Sequence, residues 1–221
     1  RLDGVTGVQT CALPISQQTD WARALIDKSR RLADMVTNLL DMARIQSGEV
    51  RLRLDWQSME EIIGGALKHA HDALGTRTIA VTIDPDVTLV ECDAVLIERV
   101  LANLLENAGK YKPAQTPVEV LVRTADGELR VSVRDHGPGV AAGQEEIIFD
   151  KFTRGQAESA TPGVGLGLAI CRAIVEAHRG RIWVEPTLPL GATFTFSLPL
   201  GTPPAVEEPD DAAMPLHKPT P

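Results

Sequence analysis

The stretch "ERVLANLLENAGKY", residues 98 to 111, decides how this chain is read. Its apolar positions, Val100, Leu101, Leu104 and Leu105, recur with helical spacing and give one buried face. Asn103 and Asn107 are four residues apart, so both project from a single other face, with Glu106 beside them. Two amide oxygens and a carboxylate suit Mg²⁺, a hard ion that prefers oxygen ligands and keeps several waters. An ordinary polar helix face would show the same three residues. Lys110 and Tyr111 close the element, and a lysine there either complements the helix dipole or reaches an anion.

Outward from this helix the chain alternates between strands and helices. Asp93 is placed to cap a helix over 94–111, behind a strand "TLVEC" at 88–92 and another, "TIAVTIDP", at 78–85. Further upstream, "SMEEIIGGALKHAHDAL" (58–74) opens with Ser58 and Glu61 in a capping-box spacing, although Gly64 and Gly65 weaken it, and "VRLRLD" (50–55) alternates like a strand. Downstream, 118–135 forms two alternating runs around Asp126-Gly127, a strong hairpin signal. A helix over 167–180 and strands at 181–185 and 192–199 close the domain. The order predicts an α+β fold, a two-layer α/β sandwich of one mixed sheet with helices on one face.

Three further short stretches could carry chemistry. "RDHGPGV" (134–140) puts Asp135 at a strand end before Gly137 and Gly139. A carboxylate there can accept a hydrogen bond from an exocyclic amine, though a plain turn would look alike, and His136 reads as a spacer. "IFDKFTRG" (148–155) brings Phe149 and Phe152 into a chain with only 4% aromatics, so both are expected to pin the long loop 137–165 to the core. Arg154 is either a phosphate contact or a simple surface arginine. "GVGLGLAI" (163–170) alternates Gly163, Gly165 and Gly167 with Leu166 and Leu168 and runs into a helix, which lets backbone N–H groups face a phosphate chain. It is neither a dinucleotide fingerprint nor a P-loop, because the required third glycine and the Gly-Lys-Ser/Thr ending are missing.

Together and in this order, the four stretches resemble the Asn box, the Asp-x-Gly-x-Gly box, the Phe box and the Gly-x-Gly-Leu-Gly box of the sensor histidine kinases, most of all the potassium-responsive ones. The resemblance covers residues 20 to about 199. It implies ATP and Mg²⁺ as ligands, with Asn107 as the principal metal ligand and Asn103 nearby. It also implies that Lys110 reaches the phosphates, Tyr111 packs on adenine and Asp135 accepts the adenine amine. Gly137 and Gly139 would shape the pocket, and Gly163, Gly165 and Gly167 would cradle the phosphates. Residues 141–162 would be a lid. The implied partners are a histidine-bearing dimerisation helix, a response regulator and, in the parent protein, a second copy. The rival readings are a non-enzymatic nucleotide-binding module and an ATPase subunit of the gyrase or mismatch-repair type.

The implied phospho-accepting histidine, followed by an acid and then a proline, is absent. None of His69, His71, His136, His178 and His217 fits, and residues 1–19 hold no histidine. Residues 17–48 are expected to be the second helix of a truncated dimerisation hairpin, with Leu25, Leu32 and Leu39 at heptad spacing and Met35 and Met42 interleaved. "GVTGVQTCALPIS" (4–16) resembles the translation of a sequencing adapter, so 1–16 is expected to be non-native. Residues 49–200 would be the ATP-binding domain and 201–221 a disordered acidic, Pro-rich tail. The net charge of -8 excludes non-specific nucleic-acid binding. No apolar run reaches the roughly 18 residues of a membrane helix, so no membrane segment is expected in this chain. Three scattered cysteines make no disulfide framework and suit a cytoplasmic setting, with the parent anchored in the inner membrane.

Overall fold

The computed structural model describes residues 52–87, 89–110, 116–153 and 165–202, with helical positions scattered between 19 and 43. The N-terminal positions are helical as the heptad spacing predicts. Every described residue of this stretch is exposed, Trp21, Leu25, Leu32 and Val36 among them. Leu39, Met35 and Met42, the adapter-like segment, and the tail beyond Thr202 lie outside the described residues.

The domain is built from β1 (Asp55–Gln57), α1 (Met59–His69), a short α2 (His71–Leu74), β2 (Ile79–Ile83), β3 (Val90–Cys92) and α3 (Ala94–Lys110). The hairpin β4 (Val118–Ala125) and β5 (Glu128–Arg134), then α4 (Gly167–Ala177), β6 (Ile182–Pro186) and β7 (Ala192–Pro199), complete it. Five strands form one mixed sheet in the order β2-β4-β5-β7-β6. Only β2 and β4 run parallel, which needs the long crossover through β3 and α3. A separate pair, β1 and β3, is antiparallel with Asp55 opposite Cys92. The expected two-layer α+β sandwich is therefore the fold observed.

Local chemistry explains most boundaries. Ser58 caps α1, its hydroxyl accepting from Glu60 N at 3.2 Å. Asp126 (φ 56°) and Gly127 (φ 76°) are both left-handed, the turn that matches the twist of two antiparallel strands. Alternation along β4, β5 and β7 sends Val118, Val120, Val122, Leu129, Val131, Val133, Phe194, Phe196 and Leu198 into the core. There they meet Ile97, Leu101, Leu104 and Leu105 of α3 and Ile170 and Ile174 of α4. Each such side chain contributes about 1.5–3 kcal/mol when fully buried. Two expectations shift. Of the strand expected over 50–55, Leu52, Arg53 and Leu54 are outside β1, which begins at Asp55, because Arg53 N is taken by the Asp93 carboxylate at 3.0 Å instead of a strand partner, and Val50 and Arg51 lie outside the described residues. The helix expected over 58–74 breaks at Ala70, while Gly64 and Gly65 stay inside α1. The Glu98 carboxylate lies where a Cβ on Gly65 would sit.

Candidate functional site

Helix α3 supplies the first wall. Asp93 caps it, with Oδ1 accepting from Leu96 N at 3.3 Å. With its apolar face buried against the sheet, the opposite face presents Asn103, Glu106, Asn107 and Lys110. Lys110 Nζ donates to Asn107 Oδ1 at 3.5 Å and lies 3.9 Å from Glu106 Oε2. Both ionic partners are more than a third exposed, so this pairing is weak and readily exchanged for a ligand. Asn103 is drawn inward. Its Nδ2 is buried without a hydrogen-bond partner. The neighbouring Cys171 thiol, its pKa pushed up to about 12 by burial, stays protonated and donates a hydrogen bond to Val100 O at 3.8 Å.

The start of α4 supplies the second wall. Leu166 is buried and anchors the turn, and no side chain caps the helix N-terminus, so its first N–H groups remain available. Gly167 leads the helix, and a Cβ there would sit 3.6 Å from Asn103 Oδ1. Leu168 packs partly on the core. The carbonyl of Gly165 (φ 70°) accepts from Phe152 N at 2.9 Å, and a Cβ on Gly165 would lie 2.7 Å from Thr153 O. Only glycine meets both demands. This contact holds Phe152 and Gly165 side by side. Arg154, Gly163 and Tyr111 lie outside the described residues.

The third wall is the turn after β5. Asp135 is buried, and its Oδ1 accepts from Gly137 N at 2.7 Å while its own N–H donates to Ala192 O at 2.9 Å. Burial raises its pKa above 3.8, opposed by the backbone N–H groups of Gly137 and Ala192 acting on the carboxylate and by His136. His136 is turned away to Glu119 Oε1 at 3.1 Å, which fits a spacer and not a base. Gly139 (φ 75°) abuts the Gly191 carbonyl, 2.9 Å from where its Cβ would be.

The two phenylalanines behave differently. Phe149 is buried, edge-on to Phe194 with centroids 6.3 Å apart, and pins the loop as expected. Phe152 does not: it is 64% exposed in a left-handed turn (φ 62°), because its backbone is recruited by Gly165 and its ring faces outward. Sequence reading also missed Arg172 and Gly191. Arg172 stacks 5.0 Å over Phe149 and pairs with Glu146 at 2.6 Å. Its signal was a lone cation within an apolar helix stretch. Gly191 left none, since its contacts to Asp135 and Gly139 are long-range.

Asn103 beside an uncapped helix start, a buried aspartate at a glycine turn, and the Phe152–Gly165 hydrogen bond make up one candidate nucleotide site. Residues 92–202 match the model of the family described as histidine kinase-, DNA gyrase B- and HSP90-like ATPase, and the chain belongs to that family. Among its members the chain is similar to the sensor histidine kinases. It is 46% identical over 195 residues to sensor protein KdpD of Escherichia coli K12, covering 88% of this chain and 21% of that protein. It is 32% identical over 206 residues to sensor protein KdpD of Clostridium acetobutylicum, covering 90% of this chain and 23% of that one. Full-length ShkA in complex with AMPPNP superposes with a TM-score of 0.72 at 28% identity, covering 90% of this chain and 42% of ShkA. The chain thus spans less than a quarter of the two KdpD relatives.

Proposed function

We propose that residues 49–200 bind ATP with Mg²⁺ and act as the catalytic domain of a sensor histidine kinase. The γ-phosphate would pass to a histidine on a dimerisation helix of the intact kinase, and from there to a response regulator. The single observation that carries this is the meeting of Asn103 with Gly167 at the uncapped start of α4. It supports the reading because an amide oxygen lies beside free backbone N–H groups at a helix start, an arrangement that suits a polyphosphate and its cation.

In this reading Asp135 accepts the exocyclic amine of adenine through the lone pairs that Gly137 N leaves open. The N–H groups of 166–168 hold phosphate oxygens, and Lys110 leaves Glu106 for the same charge. The residues fit a magnesium ion as oxygen donors: Asn107 Oδ1 accepts a long hydrogen bond from Lys110 at 3.5 Å, and Asn103 Oδ1 lies one helical turn away. Among the described residues no cluster of three His, Cys, Asp or Glu could hold a metal alone, so water and phosphate oxygens would complete the shell. When bound, the ion offsets the triphosphate charge that a chain of net charge -8 would otherwise repel. With no acceptor histidine of its own, the chain would not phosphorylate itself. No helix among the described residues is long and apolar enough to cross a membrane. A role in potassium or osmotic signalling, in a parent anchored in the inner membrane, rests on the likeness to sensor protein KdpD. Calorimetry with ATP, with and without Mg²⁺, tests the core of this. Native affinity should fall at least tenfold in Asp135→Ala and Asn107→Ala. No measurable affinity in the native chain, or none lost in either variant, sinks the reading. Transfer to a histidine-bearing dimerisation domain supplied in trans separates a kinase from a nucleotide-binding module.

A further inference from the structure

We infer that His178 is a positioning residue for the nucleotide site, setting the register of α3 against α4 from the far end of the helix pair. The inference rests on the ATP-binding reading above. His178 is buried at the end of α4, although histidines are seldom so enclosed without a task. Both ring nitrogens are used. Nδ1 lies 2.8 Å from Ile174 O, a carbonyl that can only accept, so Nδ1 carries the proton. Nε2 therefore accepts, and its donor is the Asp93 backbone N–H at 3.1 Å. This is one tautomer, with each nitrogen assigned by its partner.

The two partners sit at opposite strategic points. Asp93 is the cap of α3, and its second carboxylate oxygen holds Arg53 N, in the segment by which the chain enters the domain. From this junction the helices run antiparallel. Val100 O meets Cys171 Sγ midway, and Asn103 meets Gly167 at the other end. At 1.5 Å per residue, the junction lies roughly 15 Å from the Asn103–Gly167 contact along either helix. Packed helices slide as rigid rods, so an axial shift at His178 reappears at the phosphate end almost undiminished. The same latch ties the incoming segment to both walls of the site through one residue, Asp93.

The test uses two amides that imitate different ring nitrogens. His178→Gln places a polar atom near Nε2 and can still accept from Asp93 N. His178→Asn reaches only the Nδ1 position and cannot. On the full chain without nucleotide, amide exchange should quicken in His178→Asn at Asp93 and also at Ile170, the α4 amide bonded to Leu166 O, while β4 and β5 amides keep their protection. In His178→Gln both should stay near native. ATP affinity should then fall about tenfold in His178→Asn, the scale of one lost buried hydrogen bond, and by under about twofold in His178→Gln. Exchange that quickens at Asp93 but not at Ile170 overturns the inference, as does equal ATP affinity in both variants. If the native chain binds no ATP, the functional reading fails, and the exchange pattern still decides the latch. Should His178→Asn unfold, His178→Gln decides alone: native exchange at Ile170 supports the latch, and quickened exchange refutes it.

Discussion

Replacing Gly139 with alanine is the sharpest perturbation of the adenine side of the site. Gly139 has φ 75°, and an added Cβ would lie 2.9 Å from the Gly191 carbonyl oxygen. Gly127 provides an internal control, since it has φ 76° but nothing within 4 Å of the added atom. Both substitutions incur the left-handed penalty of about 1–2 kcal/mol. Only Gly139→Ala must also move backbone, because a carbonyl cannot swing aside like a side-chain end. Relieving that overlap by a few tenths of an ångström adds on the order of 1 kcal/mol. The displaced unit is the Gly191 peptide, which itself touches the Asp135 carbonyl, so the strain is delivered to the residue proposed to read adenine. Urea unfolding should therefore show Gly127→Ala destabilised by about 1–2 kcal/mol and Gly139→Ala by about 2–3 kcal/mol. ATP affinity by calorimetry should be unchanged in the first and fall about tenfold in the second, since 1.4 kcal/mol is tenfold in Kd. Equal affinities in the two variants would refute the claim that the Gly139–Gly191 contact shapes the pocket.

Two further outcomes follow from the same geometry. Because burial raises the Asp135 pKa, its proton is bound more tightly in the folded state. From this group alone the empty domain gains stability as pH falls through that raised value toward the 3.8 of an ordinary aspartate, while ATP affinity declines over the same range. Calorimetry from pH 7 downward should show that decline in the native chain and lose it in Asp135→Asn; the same acid limb in both would remove Asp135 as the cause. Phe149→Ala should cost about 3–5 kcal/mol if its burial is coupled to the core, whereas Phe152→Ala should stay within about 0.5 kcal/mol. Thermal unfolding of the two variants checks it, and equal losses would mean the loop is pinned by both rings after all.

What could be read from the sequence was what local chemistry determines. The β4–β5 hairpin was legible because Asp126-Gly127 dictates its turn. The polar face of α3 followed from the spacing of Asn103 and Asn107 against Leu101, Leu104 and Leu105. Features that depend on distant partners were not legible. Nothing near Ile79 announces that β2 pairs parallel with Val118–Val122, and nothing near Leu52 shows that Asp93 will claim the Arg53 N–H. Phe149 and Phe152 look alike in sequence, and only the Gly165 carbonyl, which fixes the backbone at 152, separates them. Arg172 was passed over because its three partners, Glu146, Phe149 and Asp150, lie more than twenty residues upstream.

At the end of β7, Leu200 N donates to Gly127 O, and Gly201 lies directly under the Trp56 ring, 2.7 Å from where a Cβ would be. Trp56 is in the first strand of the domain, so the chain arrives and departs at the same corner. A unit with adjacent ends can be spliced into another chain, or have sequence appended on both sides, without threading anything across its working surface. Tension between the flanking segments would be borne at that corner, by an indole ring resting on bare backbone.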